Sequence, residues 1–598
     1  MKRLNFISLF LLLLVIIGGC SEKRVSGPEY RTIMGGILET DEVQFQKGER
    51  GGSITRADLQ ELDTLNIVAT RSRPLYALLG LVFEGLLSTN PITGEIQSGI
   101  AKEYRILNEG HSILLNLDEG VLFSDGEPCT ADDVLYSIEE IYMNPEVDSK
   151  KADVLRIRDR LVTVHKIDDY AVRIDLPVPY RPFLHTLTTI HILPRHILEP
   201  LIEEKGVDGF NRQWGRIEMS TDNVIGTGPY MLDEVIPGKH IRLVRNPHYS
   251  PREGYRQFEG LPYLDEIIEL LDLDNETKLL KFQIGELDFY NIKDIDIASG
   301  DVQLLMENQD EGNYVLYSAG HTLTGNHFLA FNQNPKTLHG EKHKLLANPL
   351  FRRAVSHLID RRRIVDDIYQ GFAFIDESSE RNASSFHTSI PPAPYNPDEA
   401  GALFEQLSLT DTNGDGFLNL PGGEPFSLTI LTNEDNPFRI KMGELITESM
   451  QNAGINVSFE PTDYDLIVTK LLDTFEWEAV ILGFEGSIEP NDASWIWESK
   501  GALHLWYPYQ EAPATPWEER IDVLFSLGRT TWSYDKSLTL YHEYQHIIAR
   551  EIPIMQIVIP AELYGFRKGY GNVIPSSATN NAMGLVPHLY KVKRKRRQ

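Results

Sequence analysis

The sequence predicts an α/β protein of two to four folding units, and three observations predict it. Strand-like and helix-like segments interleave along almost the whole chain, the pattern of mixed α/β domains. The 598 residues are 41% hydrophobic and 10% aromatic, enough to bury several cores. Two cysteines occur, Cys20 and Cys129, so burial rather than cross-linking must hold the fold.

The first segment stands outside that fold. MKRLNFISLFLLLLVIIGGC opens with Lys2 and Arg3 and runs apolar from Phe6 to Ile17, too short for a permanent membrane span. Residues 1–19 read as a secretory signal peptide. Gly18-Gly19-Cys20 resembles the lipobox of bacterial lipoproteins, in which the cysteine is lipidated and becomes the first residue. Lipid on Cys20 anchors a protein to a membrane without spanning it. Residues 20–50 are polar and without sustained periodicity, as a tether requires.

The body follows in order. GGSITRA is a glycine turn into a short strand, and PLYALLGLVFEGLL (74–87) an apolar helix. HSILLNL and YAVRIDL alternate like strands of a half-buried sheet. CTADDVLYSIEEIY is a helix with a readable start: Thr130 caps it, and Asp133 is the capping-box acid three residues on. IRLVRN and LTILTN are strand-like again. NPLFRRAVSHLIDRRRIVDDIY and PFRIKMGELITESMQNAG are long amphipathic helices, the second stopped by Gly454.

The formal net charge is −30, although the basic tail 591–598 (KVKRKRRQ) carries six positive side chains. So acidic a body argues against a nucleic-acid partner and for a solvated exported protein.

Two motifs point to metals. HEYQH (542–546) has the spacing of zinc proteases: His542 and His546 as ligands, Glu543 as general base. On a helix, however, both histidines fall nearly opposite the face of Tyr541, Tyr544 and Ile548, so they are expected in solvent. DTNGDGF (Asp411, Asn413, Asp415, Gly416) begins like a calcium loop, but its twelfth position is Gly422 where a bidentate glutamate is needed. No metal and no cofactor is expected.

Six segments in order resemble one family. They are LVFEGLLSTNPITGEI (81–96), GVLFSDGEPCTADDVLYSI (120–138), IGTGPYMLDEVIPGKHIRLVRNPHY (225–249), LKFQIGELDF (280–289), FLAFNQN (328–334) and NPLFRRAVSHLIDRRRIV (348–365). Together they are similar to the family 5 extracellular solute-binding proteins, the oligopeptide- and dipeptide-binding components of ABC importers. The resemblance implies a two-lobed periplasmic binding protein fold of type II, in its three-domain peptide-binding variant. Lobe I would comprise 51–83, 216–326 and 561–590; an extra domain would occupy 84–215 and lobe II 327–560. It implies a monomer outside the cytoplasm that closes on a solute and delivers it to permease subunits, with no covalent chemistry.

The implied cleft residues are Glu61, Asn291, Phe484, Glu485, Ser487, Glu489 and Trp495. In peptide-binding relatives a loop resembling G-W-x-x-D…D-P supplies an aspartate to the peptide's ammonium. Here GFEGSIEPNDASWIW (483–497) has Ser487 at that position and Glu489-Pro490 for the later D-P. If the loop is extended, Glu485, Ser487 and Glu489 share a side, so Glu485 or Glu489 is expected to take the aspartate's role. Two alternatives stay open: a secreted zinc peptidase built on HEYQH, and a binder of oligosaccharides or metal chelates on the same fold.

Overall fold

The computed structural model describes residues 45–592, without 60, 61, 63, 150–151, 217–220, 293–300, 322–324, 382 and 575–579. The signal peptide, Cys20, nearly all of the tether, Glu61 and residues 593–598 of the tail therefore lie outside the described residues.

Three larger sheets organise the molecule. In the first, Ser53–Arg56 pairs in parallel with Glu266–Leu270, followed by His240–Arg245 and Tyr230–Ile236 in antiparallel order. The second is antiparallel and lies wholly within 84–215: Ala101–Leu107, Ser112–Leu117, Ala171–Asp175 and Thr163–Asp168. HSILLNL and YAVRIDL are its two central strands. The third has eight strands. Its path runs Phe289–Ile292, Ile554–Arg567, His327–Phe331, Ala479–Leu482, Ser427–Asn433, Asn456–Thr462, and Tyr314–His321 and Ala373–Phe374 also pair onto Ile554–Arg567.

Ile554–Arg567 is the mechanical link. Its first residues pair with His327–Phe331 and its last with Phe289–Ile292, so one 14-residue strand joins the two parts of the molecule. The cores divide around it. One core unites the first and second sheets, through Ile54, Leu115, Val172, Ile241 and Phe566. The other two cover opposite faces of the third sheet. Leu329, Phe331, Ala479 and Ile481 face one, while Phe328, Ala330, Val480 and Leu482 face the other. That strict alternation explains why FLAF and AVIL are unbroken apolar runs: both faces are buried. Phe282, Tyr290, Leu305 and Leu316 pack into the core shared with 329–457, so the join runs through this segment of the expected lobe I.

Local chemistry sets most boundaries. The capping box at Thr130 and Asp133 is formed, with Thr130 N donating to Asp133 Oδ2 at 2.9 Å. Gly454 (φ +84°) follows the helix Pro437–Asn452 in the left-handed conformation that glycine takes without cost. The expected helix 74–87 is shorter: it spans Arg73–Leu79, and the chain then turns into the strand Leu87–Thr89. The cause is backbone crowding. A Cβ at Gly226 would sit 2.0 Å from Val82 O, and one at Gly228 2.4 Å from Leu81 O, so GTGPY lies directly against residues 81–82.

Candidate functional site

The site is built where the loop 483–493 leaves the end of Ala479–Leu482. Gly483 permits this exit, since a Cβ there would meet Asn326 O at 2.1 Å. Asn326 then fixes the loop, accepting from Phe484 N at 2.8 Å and donating its own N–H to Phe484 O at 3.1 Å. Beside the loop runs the segment 376–390. Asp376 folds it, accepting from Ser378 N at 2.9 Å, Ile390 N at 3.1 Å and His387 Nε2 at 2.9 Å. Burial pushes the Asp376 carboxyl up, but these donors and the His387 charge outweigh it and hold it below the usual range.

HEYQH packs against that segment with its middle residues. Gln545 is fully buried; its Oε1 accepts from Ser378 Oγ at 2.7 Å and Thr388 N at 3.0 Å, and its Nε2 donates to Phe386 O at 2.7 Å. Tyr544 donates its hydroxyl to Glu380. The outer residues do something else. Glu543 is held by Arg520 at 2.7 and 2.8 Å, His546 is exposed and His542 half-buried. A carboxylate engaged by an arginine is not a free base. Among the described residues no group of three or more His, Cys, Asp or Glu is placed to hold a metal. In the DTNGDGF turn, Asp411 spends its carboxylate on Gly414 N (2.7 Å) and Gly416 N (2.9 Å).

A tight pocket of about 20 Å³, little more than the room of one water, opens between loop and segment, walled by Asn326, Glu380, Arg381, Phe484, Glu485 and Ser487 among others. Phe484, Glu485 and Ser487 were expected from the sequence. Ser487 Oγ donates to Glu489 O at 3.0 Å. Trp495 is 46% exposed and meets Phe484 edge-on, ring centroids 6.4 Å apart. Asn291 lies elsewhere, on Phe289–Ile292 opposite Tyr564.

Both glutamates of the loop meet arginines from the other part of the molecule. Glu485, exposed, pairs with Arg73 Nη1 at 2.6 Å. Glu489, fully buried, accepts twice from Arg181 Nη2, at 2.6 and 2.8 Å. Arg181 also lies 4.8 Å from the centre of the Phe386 ring and donates its backbone N–H to Arg529 O at 2.8 Å. Sequence reasoning missed Arg73, Arg181, Glu380 and Arg381. The Arg73–Glu485 and Arg181–Glu489 pairs span 412 and 308 residues, and no local signal joins such partners.

The family model "Bacterial extracellular solute-binding proteins, family 5 Middle" matches residues 95–502. The chain belongs to this family. The oligopeptide-binding protein AppA of Bacillus subtilis is 24% identical over 527 residues, 86% of this chain and 87% of AppA. A solved oligopeptide-binding protein OppA superposes with TM-score 0.76 at 21% identity, covering 92% of each chain. MelB of Agrobacterium fabrum, solved in complex with stachyose, gives TM-score 0.64 at 21% identity over 94% of this chain and 88% of its own. The family 5 protein described here is thus a non-enzymatic binder, the extracytoplasmic solute-binding component of an ABC transporter, with the mixed α/β binding-protein fold. No described helix is long and apolar enough to cross a membrane.

Proposed function

We propose that this protein captures peptides where its two parts meet and delivers them to a permease, held at the membrane by lipid on Cys20. One observation carries the reading: the pocket wall formed by 484–487 and 380–381 adjoins the Arg73 and Arg181 contacts that bridge the two parts. The pocket wall comes from 326–556 alone, and a solute that enters between Glu485 and Arg73 meets both parts, so binding biases a closed state that the permease can distinguish. Support for peptide over sugar comes from AppA, whose structure holds a nonapeptide, and from the charged groups of the pocket. Glu485 is the carboxylate for the peptide's ammonium. It is exposed on the pocket rim, and its exposed pairing with Arg73 is weak enough to exchange.

The test is native mass spectrometry of the mature protein after incubation with a mixed tripeptide library or with stachyose. Retention of peptides and not of stachyose is expected. Stachyose retained with no peptide bound sinks the reading.

A further inference from the structure

A groove of about 450 Å³ lies wholly within residues 84–215 and shares no residue with the pocket beside the loop 483–493. Two helices wall it. The first is Ala131–Leu135, continued by the π-helical turns Tyr136–Tyr142; the second is Arg195–Gln213. They are tied together beside the groove, where Ser137 Oγ accepts from Leu193 N at 2.8 Å and Asp133 Oδ1 from Arg195 N at 3.1 Å. Spacings of three and four residues turn Asp132, Leu135, Tyr136 and Glu139 to the groove from the first helix, and Arg195, Glu199, Ile202 and Glu203 from the second.

Its charges do not balance. Asp132 is met by Lys166 at 2.9 Å, and Glu199 by Arg195 at 2.9 and 3.0 Å. Glu139 and Glu140 of one wall and Glu203 of the other are exposed and make no ion pair among the described residues. Acidic surface is common on so acidic a chain, but a second observation singles this groove out. Tyr136 lines it, is only 8% exposed, and its hydroxyl reaches no hydrogen-bond partner. Buried hydroxyls are nearly always bonded. The charged groups that act on this one are Glu199, Glu140, Arg195 and Glu203, all groove residues, so it points among them. Burial first, and those carboxylates next, push the hydroxyl up; it keeps its proton, and its oxygen stays available as an acceptor.

The spread of the charge selects the ligand. Among the described residues no three acids stand close enough to hold one metal ion. Negative charge distributed over two walls, with Leu135, Ile202 and Val207 between, matches positive charge distributed along an apolar chain. An ammonium has three donors and no acceptor, which suits carboxylates and a hydroxyl oxygen without a partner. We propose that this groove binds a linear aliphatic polyamine, its ammonium groups on Glu139, Glu140, Glu203 and the Tyr136 hydroxyl and its methylenes on Leu135, Ile202 and Val207. The site is separate from solute capture and does not depend on what the cargo is.

The test is calorimetry of spermidine binding to the full mature protein at about 0.15 M salt, where long-range attraction is screened. One site per chain is expected. Glu139→Gln combined with Glu203→Gln, one acid from each wall, should weaken it about tenfold or more. Tyr136→Phe should weaken it about threefold without lowering the unfolding temperature of the free protein, because the hydroxyl has no partner to lose. Glu444→Gln combined with Glu448→Gln removes the same charge from an exposed face of Pro437–Asn452 and should change nothing.

Equal weakening in that control, or none in the groove variants, makes spermidine a mere counterion of an acidic protein and overturns the proposal. An unchanged affinity in Tyr136→Phe overturns it too, since the hydroxyl is what distinguishes this groove. Three further results also overturn it. Displacement by magnesium at equal ionic strength marks general screening. Displacement by a saturating tripeptide places the spermidine in the solute cleft. Binding of tetralysine without binding of spermidine makes the groove a docking face for a basic protein segment.

Discussion

Glu518 and Glu380 are both carboxylates with almost no exposure, 2% and 3%, yet their acidities move in opposite directions. Burial opposes the charge of each. Glu518 wins against it: His504 Nε2 and Trp506 Nε1 at 3.0 Å, Gln510 Nε2 at 2.9 Å and Thr515 Oγ1 at 2.8 Å converge on its two oxygens. They hold its carboxyl at about 2. Glu380 has the Tyr544 hydroxyl and the charge of Arg381 in its favour, while Glu489 and Asp492 repel it, and it is pushed up to about 8. The same cost of burial is met in one place and left open in the other. Donors already committed to a carboxylate hold it ionised; a carboxyl left short of donors beside two other acids keeps its proton instead.

The comparison breaks most visibly at Glu518. Glu518→Ala leaves four buried donors without their acceptor and is expected to lower stability by about 3–5 kcal/mol. A fall in the urea midpoint at constant slope measures it. Because the folded value is depressed from 4.5, this contribution is full above pH 4.5 and is lost as pH falls through about 2. Unchanged stability in the variant, or an acid limb identical to wild type, removes Glu518 from the architecture.

Glu380 carries the opposite slope. Its folded value is raised from 4.5 to about 8, so the native state keeps a proton that the unfolded chain has released. Stability is therefore expected to decline as pH rises across that window, by roughly 4–5 kcal/mol. The groups that face it are Tyr544, Arg381, Glu489 and Asp492. Glu380→Gln should flatten the slope; a slope retained in that variant assigns it to another group.

Next in size is the bridge between the two parts. Glu489→Gln exchanges a buried, charge-assisted pair with Arg181 for a neutral contact, worth about 1.5–3 kcal/mol. The loss falls on docking rather than on either core, so the radius of gyration of the unliganded protein should increase while the unfolding midpoint moves little. Scattering curves that superpose for variant and wild type contradict a bridging role.

How far the sequence could be read follows the same division. Period-2 alternation in HSILLNL and YAVRIDL, the capping box at Thr130 and the stop at Gly454 are local rules, and the structure obeys them. The helix expected over 74–87 ends at Leu79 because GTGPY, more than 140 positions later, presses against residues 81–82. No local rule contains that contact. In the site, Phe484, Glu485 and Ser487 were legible through the family resemblance. Ser379, Glu380 and Arg381 were not, because a run of serine, glutamate and arginine reads as a solvated loop, and its burial depends on Tyr544 and on Gln545, which ties down the neighbouring Ser378.

The smallest expected effect settles what HEYQH is for. As a zinc-protease motif its essential residues are His542, Glu543 and His546; as a packing element they are Tyr544 and Gln545. Glu543 makes an exposed pair with Arg520, both side chains 43% exposed, and such pairs are worth at most about 1 kcal/mol. Glu543→Gln keeps the size of the side chain and one hydrogen-bond acceptor, so stability should change by less than about 0.5 kcal/mol and peptide capture not at all. Gln545→Ala is the control from the same helix turn: it strips three hydrogen bonds from the segment 376–390. It should weaken capture by loosening the wall at 379–381, although Gln545 lies outside the pocket wall. If Glu543→Gln abolished a measurable peptidase activity while Gln545→Ala left capture intact, the outer residues of the motif would be its functional ones and the packing account would be wrong. The expected order is the reverse.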